Sequence, residues 1–400
     1  MKYVIVHAGG MAGHPRHELG GKTPLQAALT PHLDSLAQQG EVGQLLISAE
    51  GGRHGSGLIG TAILGYDPKK FYQGPGPLEA ASLGVSVTEH DVVYRCTMVT
   101  LRPEGGKGEI KKLGPHVVMD DATAGLIETE EARELIEAIN EQLGSESIQF
   151  YPGAGHRHLM VWVDGKSRAI CNDPHTTVGH SIADALPTGD GSDILRKLMD
   201  AAHVILRDHP LNDERVAAGR KPANCVWLWG EGRAVAWPSL LEKYHITGSV
   251  VATSDVDRGV GLCAGLEAVD PERLASGNLR DKAMVALAEF RRKDFVYVHA
   301  ELTDEVVHGT DVKAKVRGIE DFDRELVGPL VEGLKKQGSY RFLVICDQPS
   351  GAHDQAFYAF GEGGKTAGKP GARFTESDAY STGTPSRDAT KFVIKFFSKN

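Results

Sequence analysis

Long runs of basic or apolar residues are missing from this sequence. No five consecutive residues are basic, and the chain of 400 residues carries a formal net charge of -9, so it lacks the electrostatic pattern of a nucleic-acid binder. The amino-terminal apolar run, Tyr3 to Val6, is too short for a secretion signal or a membrane span. We therefore expect a cytoplasmic protein that binds small molecules or other proteins, with no nucleic-acid or membrane partner.

Cysteine is also sparse, and no two cysteines form a C-x-x-C pair. An odd number of widely spaced thiols argues against a disulfide framework and against a zinc knuckle. The five cysteines are Cys96, Cys171, Cys225, Cys263 and Cys346. A soluble chain of this length, at about 100–200 residues per domain, predicts two domains.

Both ends of the chain show short buried-type strands alternating with helices. Tyr3–Val6 precedes a helical pattern over 24–40, and Phe295–Val298, a long helix over Asp311–Lys336 and the strand Phe342–Ile345 repeat the pattern. Such alternation predicts an α/β fold with a parallel sheet sandwiched by helices. Ligands bind beyond the carboxyl ends of parallel strands, where Gly9, His299 to Asp304 and Asp347 would lie.

The middle of the chain predicts a second α/β domain inserted into the first. The expected boundaries give a discontinuous domain over 1–85 and 285–400, and an insert over 86–284. The insert would contain strands over Val92–Thr100, His158–Val163 and Val250–Thr253 and helices over Thr129–Leu143 and Ser192–Arg207. Gly9-Gly10 does not continue as G-x-G-x-x-G, so no nucleotide cofactor is expected.

Several motifs resemble those of the archaeal-type 2,3-bisphosphoglycerate-independent phosphoglycerate mutases, a family of the alkaline phosphatase superfamily. They occur in family order over most of the chain: LGGKTPLQAA at 19–28, LGYDP at 64–68, GPLEAASLG at 76–84, RCTMVT at 95–100, WLWGEGR at 227–233 and AGLE at 264–267. The resemblance implies an alkaline-phosphatase-like domain built from both chain ends and holding two divalent metal ions. It also implies an inserted domain that helps to bind the substrate phosphate.

For one metal ion the resemblance supplies a full set of ligand types. Asp304 and His308 match the family's Asp and His four residues apart, and His353 is the candidate third ligand. Residues at i and i+4 lie on one face of a helical turn. One divalent ion (manganese, zinc or magnesium) is therefore the expected cofactor.

For the second ion the motifs are incomplete. The family's first aspartate is replaced by Gly9, and the Asp-His pair at a strand end is Asp347-Gln348 here. An amide is a poorer ligand for a transition metal than an imidazole. His7, on the same side of the strand as Gly9, is the best-placed replacement ligand. Ser56 matches the family's nucleophile, although its acidic neighbour is Gly57, and a loop serine without a catalytic role is an equally good interpretation.

Four arginines match family positions that are expected to bind an anionic substrate: Arg95, Arg157, Arg233 and Arg258. Bidentate guanidinium groups suit phosphate and carboxylate oxygens. Another family arginine is replaced by a proline in the stretch QGPGP at 73–77, which removes a donor. The alternative role of the remaining arginines is salt bridging between domains.

These losses lead to three functional hypotheses. The first is a scaffold repurposed to bind, or to react with, a small anionic ligand with at most one metal ion. The second is a non-catalytic subunit or regulator with a protein partner or a second copy of itself, and the third is an active mutase with compensating histidines. Because the losses fall on ligand positions, the sequence predicts little mutase activity.

Overall fold

The computed structural model describes residues 1–47, 57–302, 311–347, 355–363, 368–381 and 387–398. Within these ranges the strands are β1 Lys2–Gly9, β2 Glu41–Leu46, β3 Val92–Pro103, β4 Val117–Asp121, β5 Ile148–Tyr151, β6 Arg157–Trp162, β7 Arg168–Ile170, β8 Thr188–Asp190, β9 Cys225–Arg233, β10 Gly248–Val251, β11 Glu267–Ala268, β12 Phe295–Glu301, β13 Tyr340–Asp347, β14 Gln355–Glu362 and β15 Arg387–Asp388.

The α-helices in the same ranges are α1 Pro24–Ala27, α2 Pro31–Gln39, α3 Leu58–Ile63, α4 Pro68–Phe71, α5 Pro75–Leu83, α6 Thr129–Leu143, α7 Ser192–Arg207, α8 Pro210–Ala217, α9 Leu240–Tyr244, α10 Asp255–Cys263, α11 Leu279–Glu289, α12 Val312–Asp321, α13 Gly328–Lys335, α14 Glu376–Ser381 and α15 Ala389–Phe397. Short 3-10 turns cover His17–Leu19, Glu104–Gly106, Pro174–Thr177 and Pro271–Leu274, and a π-helical segment covers Phe322–Val327.

The chain divides into two compact units. Unit 1 consists of Met1–Tyr72 and Ala236–Asn400, and unit 2 consists of Gln73–Val235. Unit 1 contains an eight-stranded sheet in the order β11-β10-β12-β1-β13-β14-β2-β15. The pairs from β11 to β13 are parallel, whereas β14 is antiparallel to both of its neighbours.

Helices cover both faces of the sheet in unit 1. Alternate residues of β1 point to opposite faces. Val4 and Val6 belong to a buried core that includes Leu33 of α2, while Tyr3 on the other face packs its ring against Phe396 of α15. The predicted α/β class, with a largely parallel sheet sandwiched by helices, is confirmed.

Unit 2 is built on an antiparallel sheet around β3, which pairs with β4, β6 and β9. Helix α6 buries Ala132, Leu135, Ile136 and Ile139, a spacing that places one apolar stripe toward the core. Helices α6 and α7 share that core with β9 and β3. On the opposite face α5 packs on β3 and β9, and Ala80 is buried with Val93.

The two units have boundaries different from those expected at 85/86 and 284/285. Helix α5 belongs to unit 2, because it packs on β3 and β9. The strand expected over Val250–Thr253 is β10, which pairs with β12 in the large sheet of unit 1 rather than lying in the insert. Pairing between strands that are distant in sequence, rather than local pattern, decides where such segments belong.

Among the described helices, none is both long enough and apolar enough to cross a membrane. The cytoplasmic location stays a prediction.

Candidate functional site

A cluster of polar side chains lies on one face of the parallel sheet in unit 1. His7 of β1 is directly in register with His299 of β12 and with Ile345 of β13. Because side chains alternate along a strand, Tyr297, two residues before His299, and Asp347, two residues after Ile345, share the face of His7. The cluster is therefore a direct result of strand order and register.

Asp257 reaches the same cluster from α10, the helix that follows β10. The Ser254 side chain caps this helix by accepting from the Asp257 amide, and Asp257 lies in the first turn. The amino end of a helix carries partial positive charge, which stabilises a carboxylate there. The neighbouring strands β10, β12 and β1 thus bring Asp257, His299 and His7 together.

Short polar contacts connect the five side chains. His7 contacts the Asp347 carboxylate through Nε2 at 2.7 Å and the Tyr297 hydroxyl through Nδ1 at 3.2 Å. The same hydroxyl donates to Asp257 Oδ1 at 3.0 Å. His299 Nδ1 lies 3.4 Å from Asp257 Oδ2, and His7 Nδ1 lies 3.7 Å from Asp257 Oδ1.

Burial makes the charges of this cluster interact strongly. His7, Asp257 and His299 are each 5% exposed. Burial lowers the pKa of His7, but the carboxylates of Asp347 and Asp257 outweigh burial and raise that pKa to about 10. Burial lowers the pKa of His299 to about 4 although Asp257 opposes the shift. With no cation bound, the proton of the cluster resides on His7.

Two further groups adjust this electrostatic balance. Burial works to raise the pKa of Asp257, but the imidazoles of His299 and His7 bring it well below its ordinary value. Lys282 donates through Nζ to the His299 carbonyl and to the Thr253 hydroxyl, each at 3.3 Å, and burial lowers its pKa. The cluster therefore combines a buried carboxylate, two imidazoles and a nearby ammonium group.

The donor set also meets the requirements of a metal site. His7, Asp257 and His299 each offer one ligand atom, and these atoms all lie within 4.8 Å of one another. Two imidazoles and a carboxylate are typical ligands of zinc and of other first-row divalent ions. The residues present in unit 1 therefore fit the divalent ion that the resemblance implies.

The structure brings together two of the predicted site residues. His7, predicted as a replacement ligand, contacts Asp347, the predicted remnant of a ligand pair. Other predicted residues lie outside the described ranges: the nucleophile candidate Ser56 and the ligand candidates Asp304, His308 and His353. Their roles stay predictions.

Asp257 and Tyr297 were missed by sequence reasoning, and His299 was placed at the sheet edge without a role. Asp257 is adjacent to the predicted substrate residue Arg258, but no motif marks it. A usable signal was the serine three residues earlier, Ser254, which predicts a helix start after β10. That signal gains meaning only once β10 is known to lie beside β12.

The four predicted substrate arginines have different surroundings. In unit 2, Arg95 forms a bidentate pair with Glu79 at 2.7 and 3.0 Å, Arg233 donates to the carbonyls of His90 and Gly165, and Arg157 is exposed at the start of β6. In unit 1, Arg258 donates to the Val269 carbonyl at 2.6 Å. Substrate binding by these residues stays a prediction.

Comparison with known proteins identifies relatives over nearly the whole chain. Residues 37–212 match the family model described as 2,3-bisphosphoglycerate-independent phosphoglycerate mutase. A protein of Geobacter sulfurreducens, described as a probable mutase of this kind, is 41% identical over 405 aligned residues. The alignment covers 98% of this chain and 98% of the Geobacter protein. A Methanothrix thermoacetophila mutase is 39% identical over 355 residues, covering 88% of this chain and 86% of its own.

Solved structures give the same result for the fold. A cofactor-independent phosphoglycerate mutase from Thermoplasma acidophilum superposes with a TM-score of 0.62 at 25% identity, covering 99% of this chain and all (100%) of that chain. A Pyrococcus horikoshii protein superposes with a TM-score of 0.76 at 23% identity, covering 100% and 98%. The expected alkaline-phosphatase-like fold class is confirmed.

These relatives correct the functional interpretation of the sequence. The hypothesis of a repurposed or non-catalytic scaffold is wrong, because relatives matched over nearly their full length are described as mutases. The sequence prediction counted ligand types only at the family's motif positions. In unit 1, Asp257 and His299 lie beside His7 at the sheet edge, so that carboxylate and imidazole groups are present there although Gly9 and Gln348 lack them. The chain belongs to the 2,3-bisphosphoglycerate-independent phosphoglycerate mutase family.

Proposed function

We propose that this chain interconverts 3-phosphoglycerate and 2-phosphoglycerate without 2,3-bisphosphoglycerate. The observation that carries the proposal is the 41% identity to a probable mutase across 98% of both chains. The cluster of His7, Asp257 and His299 supports it, because it supplies metal-ligand types at the carboxyl edge of the sheet. Small phosphoglycerates are accordingly the proposed ligands, and a divalent ion is the proposed cofactor.

The reaction moves one phosphoryl group between two oxygens of the same glycerate. The bond from phosphorus to one oxygen breaks, a bond to the other oxygen forms, and one proton changes places with the phosphoryl group, so that no other reactant is consumed. A bound divalent ion supplies charge stabilisation for the phosphoryl oxygens and promotes ionisation of a hydroxyl nucleophile. Ser56 is the proposed nucleophile, since it matches the family's serine. Its Oγ would form a bond to phosphorus as the bond to the first glycerate oxygen breaks and that oxygen gains a proton, and the second glycerate oxygen would then take the phosphoryl group and return a proton to Ser56.

Within the described residues, the contribution of the chain is positioning and charge. Asp347 holds the His7 ring through Nε2, and Tyr297 donates to Asp257, so that both groups keep fixed orientations. Fixed donors stabilise developing charge without reorganisation during the reaction. Arg157, which is exposed on β6, is a proposed contact for the anionic substrate.

The test measures turnover directly. Purified chain, depleted of metal and then supplied with manganese, zinc or magnesium, is incubated with 3-phosphoglycerate and no 2,3-bisphosphoglycerate, and the product is followed by phosphorus NMR. We expect 2-phosphoglycerate to accumulate, and we expect Ser56→Ala to lose roughly three orders of magnitude or more of kcat.

The matched control is Ser86→Ala, a serine in the segment between α5 and β3. Its activity should equal that of the unmodified chain. Folded protein that forms no 2-phosphoglycerate with any of the three ions would refute the proposed function, and full activity in Ser56→Ala would refute the assigned nucleophile.

A further inference from the structure

We propose that His7, Asp257 and His299 bind one first-row divalent cation, with His7 ligating through Nδ1 and with Asp347 as the carboxylate that orients His7. None of these three ligands matches the metal-ligand motifs that the family resemblance supplies, which fall at Gly9, Asp304, His308, Asp347, Gln348 and His353. The inference deepens the proposed function and rests on it for the use made of the ion. The binding site itself rests on the geometry, charge and ligand types of these residues.

The separations between donor atoms suit a common cation. Bond lengths of about 2.0–2.1 Å in tetrahedral geometry place neighbouring ligand atoms about 3.4 Å apart. Asp257 Oδ2 lies 3.4 Å from His299 Nδ1, and the other oxygen, Oδ1, lies 3.7 Å from His7 Nδ1. One ligand atom from each of the three residues lies within 4.8 Å of the other two, so the side chains need to close by up to about 1.4 Å to share one ion.

The hydrogen bonds of His7 select the ligand atom. Its Nε2 contacts Asp347 Oδ1 at 2.7 Å, which is a donor's position for an N–H facing a carboxylate. That tautomer leaves the lone pair on Nδ1, the atom facing Asp257. A metal-ligating histidine characteristically donates its other ring N–H to a carboxylate, so Asp347 and His7 have the arrangement of an oriented ligand pair.

The charges of the cluster are compatible with a dication. Asp257 and Asp347 contribute two negative charges, and a divalent ion compensates both while the two imidazoles stay neutral. The nearby Lys282 ammonium interacts with Glu301 as well as with Asp257. The rival arrangement places a proton on His7 between the two carboxylates and leaves His299 neutral. The buried Tyr297 hydroxyl serves either arrangement, since it donates to Asp257 Oδ1 at 3.0 Å. Metal binding and proton binding at His7 Nδ1 are therefore mutually exclusive, and they can be distinguished experimentally.

The ligand types restrict the identity of the ion. Two imidazoles and one carboxylate suit zinc, cobalt or manganese, whereas magnesium prefers oxygen ligands. With three ligands from the chain, positions remain open for water or for an oxygen of an anionic substrate. We therefore expect this site to prefer zinc and cobalt to magnesium.

The experiment uses the full chain loaded with cobalt, because cobalt reports its ligands spectroscopically. Metal-depleted protein is titrated with Co²⁺ while the visible absorption and the shifted imidazole N–H proton signals are recorded, and bound metal is counted by elemental analysis. We expect His7→Gln and His299→Gln each to hold one ion fewer per chain than the unmodified protein. Each should also lose a shifted N–H signal.

Two further variants separate the loss of a metal ligand from the general effect of replacing a buried side chain. His203→Gln removes a buried histidine of unit 2 that contacts the carbonyls of Asn224 and Ile110, and it should bind cobalt like the unmodified chain. Asp347→Asn, at a more exposed position, should fold, weaken cobalt binding by about 10–100-fold and speed exchange of the His7 N–H proton.

Unchanged cobalt stoichiometry and affinity in His7→Gln and His299→Gln would overturn the proposal, as would unchanged affinity in a folded Asp347→Asn. If both histidine variants fail to fold, the Asp347→Asn result alone decides. None of these readouts depends on turnover. If the unmodified chain is inactive but the histidine variants lose cobalt, the proposed function is refuted and the metal site is supported. If the unmodified chain is active but the variants bind cobalt as it does, the metal site is refuted and the proposed function is supported.

Discussion

At the scale of single residues, Arg215 supports a strained turn in unit 2. Three consecutive residues, Ala124, Gly125 and Leu126, have φ values of 50°, 66° and 55°, and left-handed backbone costs roughly 1–2 kcal/mol for each residue with a side chain. Arg215, which is 1% exposed, donates to the Ala124 carbonyl at 2.7 Å and forms an ion pair with Glu131 of α6. The guanidinium thus holds the turn against the start of α6.

We predict that Arg215→Met lowers the free energy of unfolding of unit 2 by about 3 kcal/mol. The substitution leaves the Ala124 carbonyl and the Glu131 carboxylate without their buried donor. Urea unfolding followed by tryptophan fluorescence measures the loss. The control is Arg220→Met, which removes the exposed partner of the same Glu131 and should cost less than about 1 kcal/mol. If both variants lost the same unfolding free energy, the burial of Arg215 would not explain its contribution to stability.

Residue-scale reasoning from the sequence identified part of the candidate site. Strand alternation, applied to the Gly9 position that the family resemblance supplied, singled out His7, and the structure finds it hydrogen-bonded to Asp347. Asp257 was out of reach, because it comes from a helix whose strand, β10, is adjacent to β12 only in three dimensions. Local patterns specify which way a side chain points from its own strand. They do not specify which helix lies opposite.

At the scale of elements, the amino end of α2 is capped by a distant residue. The side chain of its own N-cap residue, Thr30, accepts no hydrogen bond from the helix amides. The carboxylate of Asp323, in the π-helical segment, instead accepts from the amides of His32 and Leu33 at 3.1 and 2.7 Å. Asp323 therefore satisfies two of the free N–H groups of a helix start and connects two elements of unit 1.

We predict that Asp323→Ala destabilises unit 1 by about 2 kcal/mol, because the buried Leu33 amide and the partly buried His32 amide lose their acceptor. Asp323→Asn, which keeps one acceptor oxygen, should lose about half as much. Asp321→Ala is the matched control, since Asp321 is two residues away and its side chain is 50% exposed. Hydrogen exchange at the amides of His32 and Leu33 gives the local measurement. Unchanged protection in Asp323→Ala would show that these amides have another acceptor.

The limits of a helix were predictable where the spacing of its own hydrophobic residues marks where it begins and ends. The helices over Thr129–Leu143 and Ser192–Arg207 occur with the predicted limits. The long helix expected over Asp311–Lys336 is present but contains the π-helical segment Phe322–Val327. Pro329 was a sequence signal for this interruption, because it has no N–H to donate to the carbonyl four residues earlier.

At the scale of the whole molecule, the sequence predicted two domains but could not define their limits. Unit 2 is one continuous stretch, Gln73–Val235. The expected insert, 86–284, omits α5, includes β10 and α10, and ends within α11 (Leu279–Glu289). Membership depends on partners far along the chain: Glu79 of α5 pairs with Arg95 of β3, whereas β10 pairs with β12. The Gly/Pro-rich stretch QGPGP at 73–77 stands at the first boundary of unit 2, but tertiary pairing is what assigns α5 and β10 to their units.

We predict that residues 73–235 fold on their own, whereas residues 86–284 do not form a comparably stable domain. The first fragment retains the whole buried core of unit 2, including Trp227, which is 0% exposed. The second fragment leaves Arg95 without Glu79, and loss of one partner of a buried ion pair costs about 3–5 kcal/mol, a large part of the typical 5–15 kcal/mol stability of a domain. It also exposes the edge of β10 that pairs with β12 in the full chain.

Three of the four tryptophans lie in 73–235, and the fourth, Trp237, belongs to unit 1 and is also present in 86–284. Trp237→Phe is therefore introduced in every fragment that contains this residue and in the full chain, so that fluorescence reports on unit 2 in every sample. We expect one cooperative urea transition for 73–235, with buried-type tryptophan emission at low urea. For 86–284 we expect a midpoint lower by at least the equivalent of about 3 kcal/mol, or no cooperative transition. Because α5 accounts for the Glu79 contact, extending the second fragment to 73–284 should restore the lost stability. A fragment 86–284 as stable as 73–235 would show that the ion pair and α5 contribute little, and that the limits expected from the sequence describe the folding unit better.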